Sequence, residues 1–491
     1  MSNTAQVTVR NVGFLLIQRG GLVLNAILFA ALVPRTMGPQ LYGQFTLLTS
    51  LALWIANGSA LGITPIMGRF VPGFRIREDK NGLLEFVGQL AATRIILGAV
   101  GAALYFTLTI LWLQDLDWVV LAFMAISVFF NIISIFVFAL FLGLNQASNW
   151  VMNETLRCWG SLVLVLVGVL VWGLKGACLG LAVTDLMVLG VGLLWGKEYL
   201  GGSFTWPDLS YLTPFFRFGL LFFAADIILS TLQYSGATLI KVITEDYNQI
   251  SYFGLAYQGY IMAAALFNQF AMAFAPLLTE LLARHEAITI KQRVEQLLKW
   301  QAIGCILIAF GALFLADPLI PWLLGEAFRP VALNLVLMTL SLLPQGVVSV
   351  GAVLAIVRDR PGVTLGASAL RLLSFLLAGG ALVYWRGSLG ASLAVIVGAG
   401  LQAAYYMLRW HYLVPVSWRS WLLSLGLGMI FFPLILLKSS WTVNLCLSAF
   451  AVVGYAGGLL LFRLVTLEEL AKVWRALVSR QVPLHSSAGG S

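Results

Sequence analysis

The chain has 491 residues, of which 60% are hydrophobic and only 10% charged, and its mean hydropathy is +0.94. Soluble domains have about one charged residue in four, so this composition excludes an ordinary soluble protein and indicates a polytopic membrane protein. The formal net charge of +9 is small for this length and does not indicate a nucleic-acid partner. The four cysteines lie in or beside apolar segments without a CxxC pair, which predicts neither disulfides nor a metal site.

Apolar windows of about 20 residues predict an all-α fold with about fourteen membrane-spanning helices. The first six form an N-terminal lobe over 11–196, and a polar break at 197–212 separates it from a C-terminal lobe of six helices over 213–409. An extra helix pair over 418–463 and a cytoplasmic tail over 464–491 complete the chain. The predicted spans are 11–33, 42–71, 84–112, 117–143, 154–172, 177–196, 213–240, 249–277, 297–316, 331–357, 361–384, 387–409, 418–437 and 442–463.

The distribution of basic residues predicts the orientation. Clusters such as Arg75, Arg77 and Lys80 fall on one side of the membrane, whereas the other side carries single residues such as Arg35 and Lys241. Cytoplasmic loops are enriched in Lys and Arg, so both termini are expected in the cytoplasm. In the tail, Thr466 to Val478 reads as an amphipathic helix at the inner surface or as an ordinary soluble helix.

A short internal repeat favours duplicated helix bundles. Arg35 and the triplet Gly43-Gln44-Phe45 open the second span of the first bundle, and Lys241 with Ser251-Tyr252-Phe253 opens the second span of the second bundle. Duplicated bundles are a recurring transporter architecture in which the substrate site lies between the halves.

Several motifs resemble those of the oligosaccharide (Wzx-type) flippases. The similarity covers essentially the whole chain, and its motifs are made of small, aromatic and basic positions. They are Met37-Gly38-Pro39-Gln40-Leu41-Tyr42-Gly43, Gly62-Ile63-Thr64-Pro65, Arg69-Phe70-Val71-Pro72, Tyr252-Phe253-Gly254-Leu255-Ala256 and Leu323-Leu324-Gly325-Glu326-Ala327-Phe328.

This resemblance implies a flippase that works by alternating access of two six-helix lobes. It would carry a polyprenyl-pyrophosphate-linked oligosaccharide from the cytoplasmic to the outer leaflet of a bacterial inner membrane, for surface polysaccharide biosynthesis. The implied partners are this lipid-linked glycan, membrane lipids and the glycan polymerase and export proteins of the pathway; no cofactor is implied. Related transporters in the same superfamily are the cell-wall lipid flippases and the multidrug antiporters.

Arginines within the predicted spans are candidates for binding the lipid pyrophosphate. Arg19, Arg94, Arg217 and Arg371 each lie within about ten residues, or ~15 Å, of the predicted cytoplasmic end of a helix. A guanidinium matches phosphate oxygens bidentately, but an arginine near a helix end can also reach the headgroups merely as an anchor. Gln18 and Asn25, near Arg19 on the first span, extend this candidate site.

Two acids within spans are candidates for coupling transport to an ion. Asp226 lies near mid-bilayer with Gln233 on the same helix face, and Asp185 lies in the sixth span. A structural ion pair explains such acids equally well. Tyr257 and Gln258 on the eighth span are the candidates for lining the substrate cavity.

The chain offers little for enzymatic chemistry. A membrane glycan polymerase or transferase would need catalytic histidines or paired carboxylates beside a sizeable loop, and the three histidines lie in predicted loops or the tail. The main alternative is a cation-coupled multidrug antiporter, which would require acids in the cavity. The predicted balance of four intramembrane arginines against Asp185 and Asp226 favours an anionic substrate. This charge balance does not distinguish a surface-polysaccharide flippase from a cell-wall lipid flippase.

Overall fold

The computed structural model describes residues 3–200, 206–410, 414, 416–437, 440–466, 468, 469 and 471, with side chains of the first helix described from Gly20 onwards. These residues form helices joined by short turns. The first eight are α1 (Asn3–Gly58), α2 (Ile63–Ile76), α3 (Lys80–Trp112), α4 (Trp118–Gly143), α5 (Ala147–Trp172), α6 (Leu174–Leu200), α7 (Leu209–Thr244) and α8 (Tyr247–Ala273). The remainder are α9 (Ala275–Ala283), α10 (Ala287–Leu324), α11 (Pro330–Leu340), α12 (Leu342–Val357), α13 (Pro361–Arg386), α14 (Ser388–Arg409), α15 (Arg419–Met429) and α16 (Trp441–Leu461).

The helices confirm an all-α polytopic membrane protein. In the described part of the chain, 11 helices are long and apolar enough to cross a membrane, or 12 if Glu326–Leu340 and Leu342–Val357, bent by 42° to each other, form one span. Two helices also meet within α1 at Gly38, and Arg419–Leu434 is a shorter apolar helix. Counting these as well reproduces the predicted set of about fourteen segments.

Gly38 separates the first two predicted spans. It has φ 75° and ψ 168°, outside the helical region, within a segment that is helical on both sides. Glycine adopts a positive φ without steric cost, and the proline that follows disfavours the helical conformation at this position. We call the end of the bundle at this bend, where the 113–117 and 245–246 turns also lie, the Gly38 end.

Aspartate caps begin four of the helices. The side chains of Asp79, Asp117, Asp208 and Asp246 accept hydrogen bonds from backbone N–H groups in the first turns of α3, α4, α7 and α8. Each cap satisfies one of the N–H groups that a helix start leaves without an internal partner. Polar residues that interrupt the apolar pattern therefore fix where these helices begin.

The helices pack in two groups that meet along α1, α2, α7 and α8. Helices α3 to α6 pack on one another and on α1, and α11 to α14 pack on one another and on α7 and α8. We keep the names N-lobe (11–196) and C-lobe (213–409) for these groups, while α15 and α16 pack chiefly on α10. The predicted tail helix Thr466 to Val478 lies mostly outside the described residues.

Two glycines allow the lobes to touch. A Cβ on Gly43 would overlap the Tyr247 carbonyl group, so the second part of α1 meets the start of α8 at backbone distance. A Cβ on Gly62, between α1 and α2, would likewise overlap the backbone of Gly219 on α7. Between these points, Trp54 Nε1 donates to Thr231 Oγ1 at 3.1 Å. The seam between the lobes is therefore closed along the second part of α1.

Candidate functional site

Three adjoining chambers form one cavity at the interface of the lobes. An N-lobe chamber of about 350 Å³ lies among the second part of α1, α4, α5 and α6. An interlobe chamber of about 300 Å³ lies between α1 and the helices α7 and α8. An apolar arm of about 570 Å³ lies between the first part of α1 and the helices α8, α10 and α11. Ser161 lines all three chambers, so they adjoin one another around its side chain, and we refer to the three together as the cavity.

A polar stripe on α5 faces the N-lobe chamber. Glu154, Arg157, Cys158 and Ser161 all line it, and their spacing of three, four and seven residues places them on one face of the helix. The opposite wall contributes Asp185 from α6. In the described part of the lining, Glu154, Arg157 and Asp185 are the charged residues.

Asp185 is the centre of a hydrogen-bonded group. Ser127 Oγ donates to Asp185 Oδ2 at 2.5 Å, and Asn131 Nδ2 lies 3.4 Å from Oδ1. Arg157 Nη2 lies 3.7 Å from the same Oδ1, with side-chain exposures of 28% for Arg157 and 7% for Asp185. The aspartate is therefore buried and held by three side chains from two helices, α4 and α5, whereas the guanidinium remains partly accessible in the chamber.

Arg371 holds a neutral network inside the C-lobe. Its Nη1 donates to Gln345 Oε1 at 3.1 Å and Gln402 Oε1 at 3.0 Å, and its Nη2 donates to Tyr260 Oη at 2.8 Å. No carboxylate accepts from it among the described residues. A narrow gap between Arg371 and Tyr257 links this network to the cavity wall, because Tyr257 also lines the interlobe chamber. The Tyr257 side chain therefore separates Arg371 from the interlobe chamber.

Arg157 and Arg371 occupy equivalent positions in a structural repeat. The one-residue turns at Gly173, between α5 and α6, and at Gly387, between α13 and α14, have nearly the same backbone angles, with φ 59° and 58° and ψ −131° in both. Each arginine lies sixteen residues before its glycine.

The sequence after the two turns repeats as well. Both glycines start a Gly-x-x-Gly-Ala segment. The second glycine of each, Gly176 or Gly390, packs against the backbone carbonyl eight residues before it on the preceding helix, so any Cβ there would clash. The α5–α6 and α13–α14 hairpins therefore share their packing, and each presents one arginine from the same register.

The apolar arm opens beside α1. Ile27 and Met262 line it and are 50% and 37% exposed. Asn25 is buried at its polar end, where Nδ2 donates to the Cys158 carbonyl at 3.0 Å. Gln233 and Gln258 line both the arm and the interlobe chamber. Of the residues predicted from the sequence, Asn25, Asp185, Gln233, Tyr257 and Gln258 thus meet around one cavity.

Three other residues predicted from the sequence, Arg94, Arg217 and Asp226, are not among the described residues that line the three chambers. Arg94 is fully buried, and its Nη1 donates at 2.5 Å to the Ser59 carbonyl just beyond the end of α1. A cation there stabilises the negative end of a helix dipole. Arg217 and Asp226 are exposed on α7.

For Gln18 and Arg19, the structure gives the position of the backbone only. Both residues lie in α1, but the side chains fall outside the described residues. Their backbone positions lie two helical turns before Asn25 and Ala26, which line the apolar arm.

Glu154 and Arg157 were missed by the sequence interpretation. Both lie in the first turn of the predicted fifth span, 154–172, and neither was chosen as a site candidate. Two signals in the sequence would have found them. One is the polar stripe Glu154, Arg157, Ser161 at helical spacing, and the other is the Gly-x-x-Gly-Ala repeat that aligns Arg157 with Arg371.

Comparison with solved structures shows a fold found in membrane transporters. The structure described as "Lipid II flippase MurJ, inward closed conformation" aligns with a TM-score of 0.72 at 13% identity, covering 93% of this chain and 99% of that one. An inward-facing multidrug resistance MATE family transporter of the MOP superfamily aligns with a TM-score of 0.64 at 12% identity, covering 86% and 96%. A MOP superfamily transporter from Pyrococcus furiosus, described as having a binding pocket of reverse polarity, aligns with a TM-score of 0.50 at 12% identity, covering 88% of this chain and 96% of that one.

Sequence comparison identifies the family. No curated protein matches the chain. Residues 8–282, more than half of the chain, match the family described as "Polysaccharide biosynthesis protein". This match, together with the fold, confirms the resemblance to the polysaccharide transporter branch that the motifs around Gly38, Gly62 and Tyr252 indicated. The chain is a multi-pass membrane protein that belongs to the polysaccharide biosynthesis protein family.

Proposed function

We propose that this protein is a flippase for polyprenyl-pyrophosphate-linked oligosaccharides. The observation that carries the proposal is that a polar, charged chamber adjoins an apolar arm, with Cys158 and Ser161 lining both. A lipid-linked glycan has the same division, with a polar headgroup at one end and a long apolar chain at the other. The N-lobe chamber suits the headgroup, and the arm beside α1 suits the start of the chain.

Arginines at the cavity would bind the pyrophosphate. Arg157 is the partly accessible guanidinium of the described lining, and its 3.7 Å contact with Asp185 is long enough to be exchanged for a phosphate oxygen. Arg371 would act from the equivalent position in the C-lobe if Tyr257 moved aside. Arg19 is proposed to receive the headgroup at the entrance, with Gln18 and Asn25. Arg94 and Arg217 are proposed to contact the substrate in other conformations of the protein.

Transport would follow alternating access of the two lobes. The closed seam at Gly43 and Gly62 is the contact that must open or slide when the cavity changes sides. Asp185, Asp226 and Gln233 are proposed to couple this change to an ion, since an acid in a membrane-spanning helix favours such a role. We place both termini in the cytoplasm, the Gly38 end on the outer side of a bacterial inner membrane, and the direction of transport from the inner to the outer leaflet.

The test is the lipid content of cells that lack this protein. We expect a polyprenyl-pyrophosphate oligosaccharide to accumulate and the surface polymer to disappear, both read by mass spectrometry of lipid extracts. Re-expression of the intact chain should reverse both changes. Unchanged lipid-linked sugars and an unchanged surface polymer would refute the proposal.

The chamber gives one specific reason to keep a multidrug antiporter as the second candidate. Two carboxylates, Glu154 and Asp185, line it beside one guanidinium, and carboxylates in a cavity suit cationic drugs. The same deletion strain distinguishes the candidates. New sensitivity to cationic drugs with normal surface polysaccharide would favour the antiporter.

A further inference from the structure

The N-lobe chamber contains one carboxylate that its neighbours do not neutralise. Asp185 has Arg157 as an ion-pair partner and Ser127 as a hydrogen-bond donor. Glu154 lies one turn before Arg157 on α5, lines the same chamber and is half-buried. No hydrogen bond or ion pair to its carboxylate occurs among the described residues. The chamber therefore has an excess of one negative charge.

The Glu154 carboxylate in the N-lobe chamber can accept further hydrogen bonds. An ionised carboxylate offers about four lone-pair positions, and charge that is partly removed from water is costly unless donors surround it. Arg157 is occupied by Asp185, so the remaining donors must come from water or from the occupant of the chamber. A chamber of about 350 Å³ falls within the usual range for small-ligand sites of roughly 300–1,000 Å³.

We infer that Glu154 makes the N-lobe chamber select glycans by charge, admitting a neutral or amino-bearing sugar next to the lipid pyrophosphate and rejecting a hexuronic acid. This inference rests on the proposed function. Sugar hydroxyls and ammonium groups donate hydrogen bonds to Glu154, whereas a sugar carboxylate would face it as a like charge. Both lipids carry the same pyrophosphate, so the repulsion of a sugar carboxylate by Glu154 is the difference between them, and such repulsion against the wrong partner is an effective source of specificity.

Asp185 and Glu154 occupy different environments and therefore have different proposed roles. Asp185 is held by α4 and α5 and is only 7% exposed, so it keeps Arg157 in place. Glu154 has no such constraint and lies on the same helix face as Ser161, where all three chambers meet. A headgroup whose pyrophosphate engages Arg157 would therefore bring its first sugar beside Glu154.

Binding of two matched lipids to the purified full-length protein tests the inference. The probes are a polyprenyl pyrophosphate carrying an N-acetylhexosamine and the same lipid carrying a hexuronic acid, with binding read by native mass spectrometry. We expect the intact protein to prefer the first by at least about ten-fold. Glu154→Gln should reduce the preference to within about three-fold by improving binding of the acidic lipid.

Two further variants separate the effect from a general change of charge or folding. Arg157→Gln removes the positive charge and should weaken the acidic lipid more than the neutral one. Glu280→Gln makes the same chemical change as Glu154→Gln at an exposed residue of α9 that pairs with Arg284, and should leave the preference unchanged.

Two results would overturn the inference. The first is a preference in Glu154→Gln equal to that of the intact protein. The second is stabilisation of the intact protein by sodium ions or by acid, without lipid, that disappears in Glu154→Gln, because Glu154 would then be a cation site. Failure of both lipids to bind any variant would instead count against the proposed function.

Discussion

Lys241 of the C-lobe lies 3.5 Å from Asp115 of the N-lobe, measured from Nζ to Oδ2, at the Gly38 end of the bundle. The same ammonium group lies 3.9 Å from the centre of the Tyr247 ring, next to the point where Gly43 meets the Tyr247 carbonyl. The Lys241 side chain is 11% exposed. The charge pair therefore joins the two lobes beside the close approach of Gly43 to Tyr247, while the cation–π contact holds Lys241 within the C-lobe, and any opening of the cavity at this end must break the charge pair.

Asp115→Asn should make the cavity more accessible from the Gly38 end. A partly exposed pair contributes about 1 kcal/mol at most, which corresponds to roughly a five-fold shift between closed and open states. The native Cys158 lines the cavity and can report this shift in a Cys446→Ser background, since Cys178 and Cys305 are buried. The measurement is the rate of Cys158 labelling by a membrane-impermeant maleimide applied from outside the cell.

The neighbouring pair of Asp117 and Lys175 is the matched control. It lies 2.5 Å apart at the same end, but both residues belong to the N-lobe. The hydrogen bond from Lys175 lowers the pKa of the Asp117 carboxyl, so this pair stays charged at neutral pH. Asp117→Asn should leave Cys158 labelling unchanged. Equal acceleration by Asp115→Asn and Asp117→Asn would show that the interlobe pair has no special part in closure.

Gly43→Ala should destabilise the protein. Its new methyl group would overlap the Tyr247 carbonyl, and overpacking of this kind typically costs about 1–3 kcal/mol. We expect thermal unfolding in detergent to begin several degrees lower. Gly190→Ala on α6 is the control, because no heavy atom lies within 4 Å of the added carbon and alanine is the better helix former. A Gly43→Ala protein as stable as Gly190→Ala would mean that the lobes do not touch there.

Arg157→Gln should weaken binding of polyprenyl pyrophosphate without a sugar. A charge-assisted hydrogen bond to a phosphate contributes about 1.5–3 kcal/mol, so the expected loss is roughly ten-fold or more. The equilibrium can be measured by quenching of tryptophan fluorescence on the purified protein. Arg284→Gln, at an exposed arginine paired with Glu280, should bind as the intact protein does. A loss in Arg157→Gln no larger than in this control would exclude Arg157 from the site.

Arg371→Met should unfold at a lower temperature. The substitution removes the donor to Gln402 and Tyr260 and leaves Gln345 Oε1 only the 3.3 Å bond from Tyr260 Oη, at about 1–3 kcal/mol for each buried group that finds no other partner. Arg371→Lys should recover only part of the stability, because an ammonium group cannot reproduce the planar fork that reaches all three acceptors. Circular dichroism melting curves of the two variants give the comparison. Full recovery by lysine would show that charge alone matters at this position.

Lys299→Met should release the start of the C-terminal tail. Lys299 Nζ lies 3.0 Å from Glu469 Oε2 and donates to the Leu464 carbonyl at 3.0 Å. Reciprocal hydrogen bonds between Thr466 and Glu469 form a capping box at the same point. We expect trypsin to cleave a C-terminally tagged protein after Arg463 several times faster in this variant.

Lys291→Met is the control for this experiment. Lys291 lies on the same helix, α10, but pairs at 4.0 Å with the half-buried Glu295, away from the tail. It should leave the cleavage rate unaltered. Equal rates in Lys299→Met and the intact protein would show that the contact does not hold the tail.

Hydropathy predicted the helices well because a membrane-spanning segment must satisfy its own backbone and bury about 20 apolar residues. It gave the depth of Arg94 and Arg371 within their helices but not the direction in which either side chain points. That direction depends on helix rotation, which packing against neighbouring helices sets. Arg94 consequently contacts the end of α1 and Arg371 an amide network, while Arg157, which lies in the predicted fifth span but was not a candidate, reaches the cavity.

Polar residues near the middle of helices were the better guide to the site. Asn25, Gln233 and Gln258 line the cavity, since an amide in such a helix is best satisfied facing protein or water. The polar stripe on α5 could have indicated Glu154 and Arg157, but the pairing of Arg157 with Asp185 could not follow from one segment alone, because it depends on how α5 meets α6. Comparison of the two hairpins at Gly173 and Gly387 would have supplied part of that information.

The exposure of Ile27 and Met262 along the apolar arm has a consequence for the carrier lipid. If the protein carries the proposed lipid-linked glycan, a lipid chain that begins in the arm would continue directly among the acyl chains of the bilayer, and the protein would contact only its first isoprene units. The rate of transport would then not depend on the number of isoprene units in the carrier. One copy of this protein could serve carriers of different lengths, and a shortened synthetic carrier should be moved as readily as the natural one.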